Sequence, residues 1–401
     1  MTPETLARDF LRYVCQTSAT PLGIVVARAQ GASLWDAAGR EYLDLLAGMG
    51  VANVGHGNPD VLAAVAAQAA QYLHVMVYGE AVQQPQVELA RRLAELAPGD
   101  LSVTYFTNSG TEAVEGALKL ARKHTGRSRF VAFRGGYHGD TLGALSLCNG
   151  ATYRRPFEPL LEGVEFLPFG SVADLARVDA TVAAAVVEPI QGEGGVRVPP
   201  DDFLPALRAR CDAVGALLVC DEVMTGLGRT GRWFASEHWS VTPDVLVLAK
   251  ALGGGLPLGA FVARPEVMQT LSHDPPLAHV TTFGGHPLSC AAGLAALEFA
   301  VRERLPQRAA TVGAAWRARL DGMIGGALRV VRGRGLLIGL ELATPAATQA
   351  FCRAALARGL ILNWTLHRDT VVRLAPPLVI SEHDSARALD AIAASIASAG
   401  V

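Results

Sequence analysis

Lysine is nearly absent from this chain. Of its 35 basic residues only Lys119, Lys123 and Lys250 are lysines, and the rest are arginine. Arginine serves surface charge, ion pairs and phosphate contacts, but its guanidinium is not deprotonated in proteins. A nucleophilic amine is the one role it cannot take, which makes any retained lysine a candidate for that role. Lys119 and Lys123 lie one turn apart on an expected helix, where a solvated face accounts for them. Lys250 closes the apolar run Val245–Ala249 and precedes the triplet Gly253-Gly254-Gly255. It reads either as a cation snorkelling from a strand end or as a buried, reactive amine.

Other absences narrow the field. The six cysteines form no C-x-x-C pair, which speaks against a disulfide framework or a zinc site and suits a reducing compartment. A net charge of −2 supplies no basic field for nucleic acid and no acidic tail. No apolar run approaches the roughly 18 residues of a membrane span, and Met1–Tyr13 has no signal-like apolar centre. The expectation is a soluble cytoplasmic protein with no nucleic-acid or membrane partner. The patterns G-x-x-x-x-G-K-[ST], H-E-x-x-H and G-x-S-x-G are all missing, and the ten histidines show no ligand spacing. His56, His138, His279 and His286 are read as loop or core polar groups, and no metal is expected.

What is present is an α/β grammar. Asn58-Pro59-Asp60 starts an alanine-rich helix to about Leu73, and Pro85–Leu96 forms another. Strand-like runs follow at Val103–Thr107, Phe130–Phe133, Thr181–Pro189, Ala216–Asp221 and Val245–Ala249, with helical stretches such as Thr111–His124 and Phe203–Val214 between them. Short, nearly unbroken apolar strands interleaved with helices predict a mostly parallel sheet covered on both faces. Ligands then sit beyond the carboxyl ends of the strands. After about residue 295 come helix, strand material at Arg329–Leu342 and a closing helix Asp384–Ala399, which read as a smaller α/β domain. The expected division is 1–45 as an N-terminal part of the small domain, 46–294 as the large domain and 295–401 as the rest.

The loops after the strands carry the chemistry. Ser109-Gly110-Thr111 opens a helix and can cradle an anion at its positive end. Tyr137, set among Gly135, Gly136 and Gly139, can lie against a planar ligand. Asp221 ends a buried strand, where a carboxylate is costly unless a cation or a protonated ring nitrogen meets it. Glu188 and Glu193 stand five residues apart past another strand. Gly226-x-Gly228-Arg229-Thr230-Gly231 matches the dinucleotide fingerprint, but no long helix follows and no acid sits at the needed spacing, so a nicotinamide site is excluded. An anion cup, a platform, an acid and an amine are together what pyridoxal phosphate requires.

At these residues the chain closely resembles the class III aminotransferases, the group containing acetylornithine, ornithine and 4-aminobutyrate aminotransferases. The resemblance runs from about Gly31 to the C-terminus and implies the fold of the type I pyridoxal-phosphate transferases. It puts Ser109, Gly110 and Thr111 on the phosphate, Tyr137 on the ring face, Asp221 on the ring nitrogen and Lys250 on the cofactor aldehyde. It also sets His138, Glu188 and Met224 beside the cofactor. Thr281 and Thr282, in Thr281-Thr282-Phe283-Gly284-Gly285, resemble the segment that crosses a homodimer interface, with Thr282 reaching the partner's phosphate and Thr281 near the substrate. Arg373 falls on the arginine that grips a substrate carboxylate, and Glu193 on the acid that pairs with it when that carboxylate is absent. Two positions depart from the acetylornithine and ornithine branches: Met224 replaces a glutamine, and Asp140 replaces an arginine for the donor carboxylate. The implied activity moves an ω-amino group from an amine or amino-acid donor to a keto acid, 2-oxoglutarate, in two half-reactions. Racemases, aminomutases and decarboxylases of the same family are the alternative.

Overall fold

The computed structural model describes residues 1–399. At its centre is a seven-stranded sheet in the order Val103–Thr107, Gly259–Ala263, Val245–Leu248, Leu217–Asp221, Val182–Val187, Arg129–Phe133, Val164–Leu167. Gly259–Ala263 runs antiparallel to both neighbours, and every other pairing is parallel. All the remaining strands therefore deliver their carboxyl ends to one edge.

The period of two along each strand sorts its residues to the two faces. Phe130, Ala132, Ala184 and Val186 pack with the helix Gly110–Thr125, while Val131, Phe133, Ala185 and Val187 pack with the helix Phe203–Val214. Val182–Val187 and Val245–Leu248 are buried throughout, as strands covered on both sides must be. Each buried Val, Leu or Phe contributes about 1.5–3 kcal/mol relative to exposure.

Two smaller sheets flank it. One joins Val26–Gln30, Ser33–Asp36 and Glu41–Asp44 to Leu360–Ile361 from the far end of the chain, and the other orders Leu328–Arg334, Leu337–Leu342, Arg368–Leu374 and Asn363–Thr365. The helices Leu305–Asp321, Pro345–Ala357 and Glu382–Ala399 contribute to the core shared by the small sheets. The helix Pro287–Arg302 passes residue 294 without a break. Among the described residues no helix is long and apolar enough to cross a membrane.

The structure adds elements that the sequence reading lacks: the strands Val164–Leu167 and Gly259–Ala263, and the N-terminal helix Pro3–Tyr13 capped by Thr2. The single run Arg329–Leu342 becomes two strands turned at Gly335, whose φ of +55° and contact with Thr230 leave no room for a side chain. On the solvated face expected of them, where Lys119 is exposed and Lys123 half-buried, the two spare lysines also hold a neighbouring loop. Lys119 Nζ lies 3.1 Å from Ala278 O and 3.0 Å from His279 Nδ1, and Lys123 Nζ donates to His273 O and Pro275 O. A proline-bearing loop has few N–H groups to satisfy its own carbonyls, and the ammonium groups take their place.

Candidate active site

Where the strands end, a cavity of about 500 Å³ opens between the large sheet and the C-terminal one. Lys250 enters it by an unusual route. Ala249 is extended, and Lys250 then adopts φ +49°, a left-handed conformation that costs a non-glycine residue on the order of 1 kcal/mol. This turn ends the strand, and Nζ lies 3.5 Å from Met224 Sδ. Burial and the positive charge of Arg373 lower its proton affinity, against the opposing pull of Glu193, Asp221 and Glu188.

Asp221 is 4% exposed. Its Oδ2 accepts a 2.7 Å hydrogen bond from His138 Nδ1, and its Oδ1 accepts from the Val223 N–H at 3.0 Å. Burial alone would drive the His138 imidazole down, but the bond to Asp221 and the charges of Asp221 and Glu188 hold it above its ordinary value. His138 is thus the core polar group of the two readings, and it fixes the carboxylate that points into the cavity. Glu188 accepts from the N–H groups of Tyr137 (2.9 Å) and Gly192 (2.8 Å), which ties the Tyr137 loop to the neighbouring strand end. Burial pushes its pKa up to about 7.

The helix Gly110–Thr125 points its start at the same space. Ser109 Oγ accepts from the Glu112 N–H and Ser109 O from the Ala113 N–H, so Gly110 and Thr111 keep N–H groups with no protein acceptor among the described residues. Gly139, at φ +123°, lies so close that any Cβ would stand 2.4 Å from Thr111 Oγ1. That hydroxyl is in turn paired with Thr141 Oγ1 at 2.6 Å. A glycine cradle over free N–H groups fits a phosphate.

The opposite wall belongs to Arg373, 1% exposed, whose guanidinium is ion-paired with Glu193 and touches Met49 Sδ at 3.7 Å. The second oxygen of Glu193 accepts from the Leu366 N–H at 2.8 Å. Burial would raise the Glu193 pKa, yet the charge and hydrogen bond of Arg373 hold it below the usual carboxylate value. Asp140 also lines the cavity, with its Oδ2 taking the Tyr137 hydroxyl at 2.7 Å. Burial, then Asp140, raises the Tyr137 pKa, so that hydroxyl stays a donor.

The cavity therefore gathers Ser109, Gly110, Thr111, Tyr137, His138, Asp140, Glu188, Glu193, Asp221, Met224, Lys250 and Arg373. Thr281 and Thr282 stand apart. Thr281 Oγ1 accepts from Asn108 Nδ2 at 3.1 Å, and Thr282 is exposed and off the cavity wall of this protomer. Met49 and Leu366, the residues touching Arg373 and Glu193, were not anticipated, because nothing local in their sequence marks them.

An amine of lowered proton affinity, a buried acid and a helix start free to take an anion match a phosphorylated aldehyde with a basic ring, and pyridoxal phosphate is such a molecule. Fold and site together are those of a pyridoxal-phosphate-dependent transferase. The chain belongs to the class III aminotransferases: the family profile, aminotransferase class-III, matches residues 14–396. It is 43% identical to the acetylornithine aminotransferase of Methanopyrus kandleri, with 98% of this chain and all of that protein aligned. It is 45% identical to the putrescine aminotransferase of Pectobacterium atrosepticum over 96% of this chain and 85% of that one. Among solved structures it superposes on the ornithine aminotransferase of Toxoplasma gondii with a TM-score of 0.92 at 34% identity, covering 99% of this chain and 94% of the other. An (S)-enantioselective omega-transaminase from Thermomicrobium roseum gives 0.93 at 31% identity over 100% and 99%. The protein is a pyridoxal-phosphate-dependent aminotransferase acting on an amine and a keto acid.

Proposed function

We propose that the enzyme takes the primary amine from a donor whose far end is cationic, a diamine being the simplest case, and gives it to 2-oxoglutarate. The buried Arg373–Glu193 pair on the wall facing Lys250 carries the acceptor half of this reading. A guanidinium that can trade an internal carboxylate for a substrate carboxylate admits a dicarboxylate and then a donor lacking that group. Asp140 carries the donor half. An acid at the cavity wall, held by the Tyr137 hydroxyl, repels a donor carboxylate and attracts a distal ammonium. The likeness to a putrescine aminotransferase supports that choice.

In this reading the N–H groups of Gly110 and Thr111, with Ser109, hold the phosphate, Tyr137 covers the ring face, and Asp221 keeps the ring nitrogen protonated. Glu188, His138 and Met224 complete the wall. Bound pyridoxal phosphate supplies an aldehyde carbon that accepts an amine, and a ring that takes up the electrons released when the substrate carbon loses its proton. Lys250 Nζ removes that proton and returns it, a task matched to an amine whose proton affinity burial has lowered. Thr282 is assigned to the partner's phosphate across a homodimer, and Thr281 to the substrate side of the same segment. The division into 1–45, 46–294 and 295–401 belongs to the same reading, supported by the separate sheets, with Pro287–Arg302 as the link across the second boundary.

The test is a donor panel of diamines, ω-amino acids and acetylated diamino acids with 2-oxoglutarate, scored by glutamate formed. Diamines should lead, and Asp140→Arg should move the preference toward donors with a carboxylate. No glutamate from any donor, or an unchanged ranking in Asp140→Arg, would remove the acceptor or donor half respectively.

A further inference from the structure

Ala47, Gly48, Met49 and Gly50, four residues in a row, carry φ of +48°, +58°, +69° and +82°. Two of them are not glycine, and the left-handed conformation is uphill for both. Single residues of this kind are common, but a run of them needs something to hold it.

The holder is Asp44, which is 3% exposed. Its Oδ1 accepts the Leu46 N–H at 2.9 Å, and its Oδ2 accepts the Gly48 N–H at 2.8 Å. His56 Nε2 lies 2.8 Å from Oδ2, and the carboxylate's charge acts on the buried guanidinium of Arg229. The turn is closed by the N–H groups of Gly50 and Val51, which donate to Leu46 O and Ala47 O at 2.7 and 2.8 Å. On one side of it Leu45 makes backbone bonds to Ile361 and Ala375, and on the other Asn53 Oδ1 accepts from Arg229 Nη2 at 2.6 Å.

What the turn touches gives this knot a bearing on the reaction. Met49 Sδ lies 3.7 Å from Arg373 Nη2. A Cβ on Gly50 would stand 2.8 Å from Met224 Sδ and 3.6 Å from Lys250 Cδ, so the bare backbone packs against the lysine side chain. Val51, next in line, faces the cavity. One short turn therefore bridges Arg373 and Lys250. Lys250 is itself left-handed at φ +49°, so two strained turns meet across Met224. Strain of this kind persists only where the surroundings over-determine it, and it gathers where placement matters.

We propose that Asp44 is a positioning residue: by locking the turn 47–50 it keeps Arg373 and Lys250 at the separation that transamination needs. A relaxed turn, with Ala47 and Met49 at negative φ, would withdraw Met49 from Arg373 and Gly50 from Met224. This rests on the roles read for Lys250 and Arg373 above, but not on which substrate group meets either of them.

Asp44→Asn keeps the size of the side chain and turns one of its two acceptor oxygens into a donor. The kcat/KM for amine donor and for keto acid should each fall about tenfold, while the visible band with pyridoxal phosphate persists. Ala47→Gly alone should leave both within about twofold of wild type, because glycine adopts the turn without being held. Added to Asp44→Asn, it should recover most of the lost kcat/KM. If Asp44 serves only as a counter-charge to Arg229 and His56, Asp44→Asn will lower Tm and Ala47→Gly will restore no activity, which overturns the proposal. Should Asp44→Asn not fold, Gly48→Ala carries the test. Its Cβ would meet nothing nearer than His56 Cε1 at 4.0 Å, so it adds strain without a clash. A fall of about threefold in kcat/KM with both substrates is expected, and unchanged kinetics overturn the proposal. A Lys250→Ala enzyme that keeps its turnover would instead refute the underlying reading of the site, and the proposal with it.

Discussion

Lys250, Asp221, Glu188 and Tyr137 each stand at or just beyond the end of a strand in one sheet, and backbone geometry alone sets their spacing. Met49, Glu193 and the hairpin that carries Leu366 and Arg373 come instead from segments far apart in the chain and meet through bonds made by the side chains of Met49, Glu193 and Arg373. The Lys250 end is rigid: Asp221 is fixed by His138 and Val223, and Glu188 by two N–H groups. At the Arg373 end, Glu193 is held by a guanidinium and one side-chain acceptance from Leu366, an arrangement that can open without disturbing a strand. In the proposed reading, one end keeps a resident group in place, and the other admits two different substrates in turn.

The sharpest way to separate the ends is to break the first. Lys250→Ala should lower turnover by on the order of 10⁴-fold or more, since the proton carrier and the amine are lost together. Wild type should show a visible band with added pyridoxal phosphate that the variant does not form. A variant keeping both band and turnover would mean that the amine is elsewhere. Breaking the second end should look different. Arg373→Met should raise the KM for 2-oxoglutarate by about 100-fold, within the range for truncating one member of a buried charge pair. The band should persist, because no cofactor contact is removed. Loss of cofactor in Arg373→Met would show that the two ends are not separable.

The same contrast explains what could be read in advance. Each cofactor-end residue sits in a short motif, such as Asn108–Glu112 or Glu188–Glu193, whose strand and helix flanks are visible as local apolar periodicity. The strand Gly259–Ala263 escaped because it follows Lys250 so closely that its apolar residues merge with the loop, yet it completes the sheet between Val103–Thr107 and Val245–Leu248. Met49, in a left-handed turn at φ +69°, and Leu366, at a hairpin tip, gain their roles from contacts more than 170 residues away in sequence. No periodicity encodes such contacts. Lys119 and Lys123 keep the helical spacing and solvent exposure expected of them, but the loop that they also anchor lies about 150 residues on, where no local pattern points.

The smallest effect tests whether Glu193 is as loosely committed as the comparison implies. Its folded pKa is depressed, so its charge contributes stability that is fully present above the ordinary value of 4.5 and is lost as pH falls through the folded value. Glu193→Gln leaves Arg373 buried without its partner and should lower Tm at neutral pH by roughly 1–3 °C. The gap between wild type and variant should hold steady above pH 4.5 and close on further acidification, as the wild-type carboxylate is protonated and comes to resemble the amide. Saturating 2-oxoglutarate should narrow the gap at neutral pH as well, because its carboxylate then pairs with Arg373 in both proteins. Thermal unfolding followed across pH, with and without the keto acid, reads all of this. A gap that is indifferent to both pH and acceptor would place the Arg373–Glu193 pair among the permanent ties of the fold, and the flexible end of the cavity would have to be sought elsewhere.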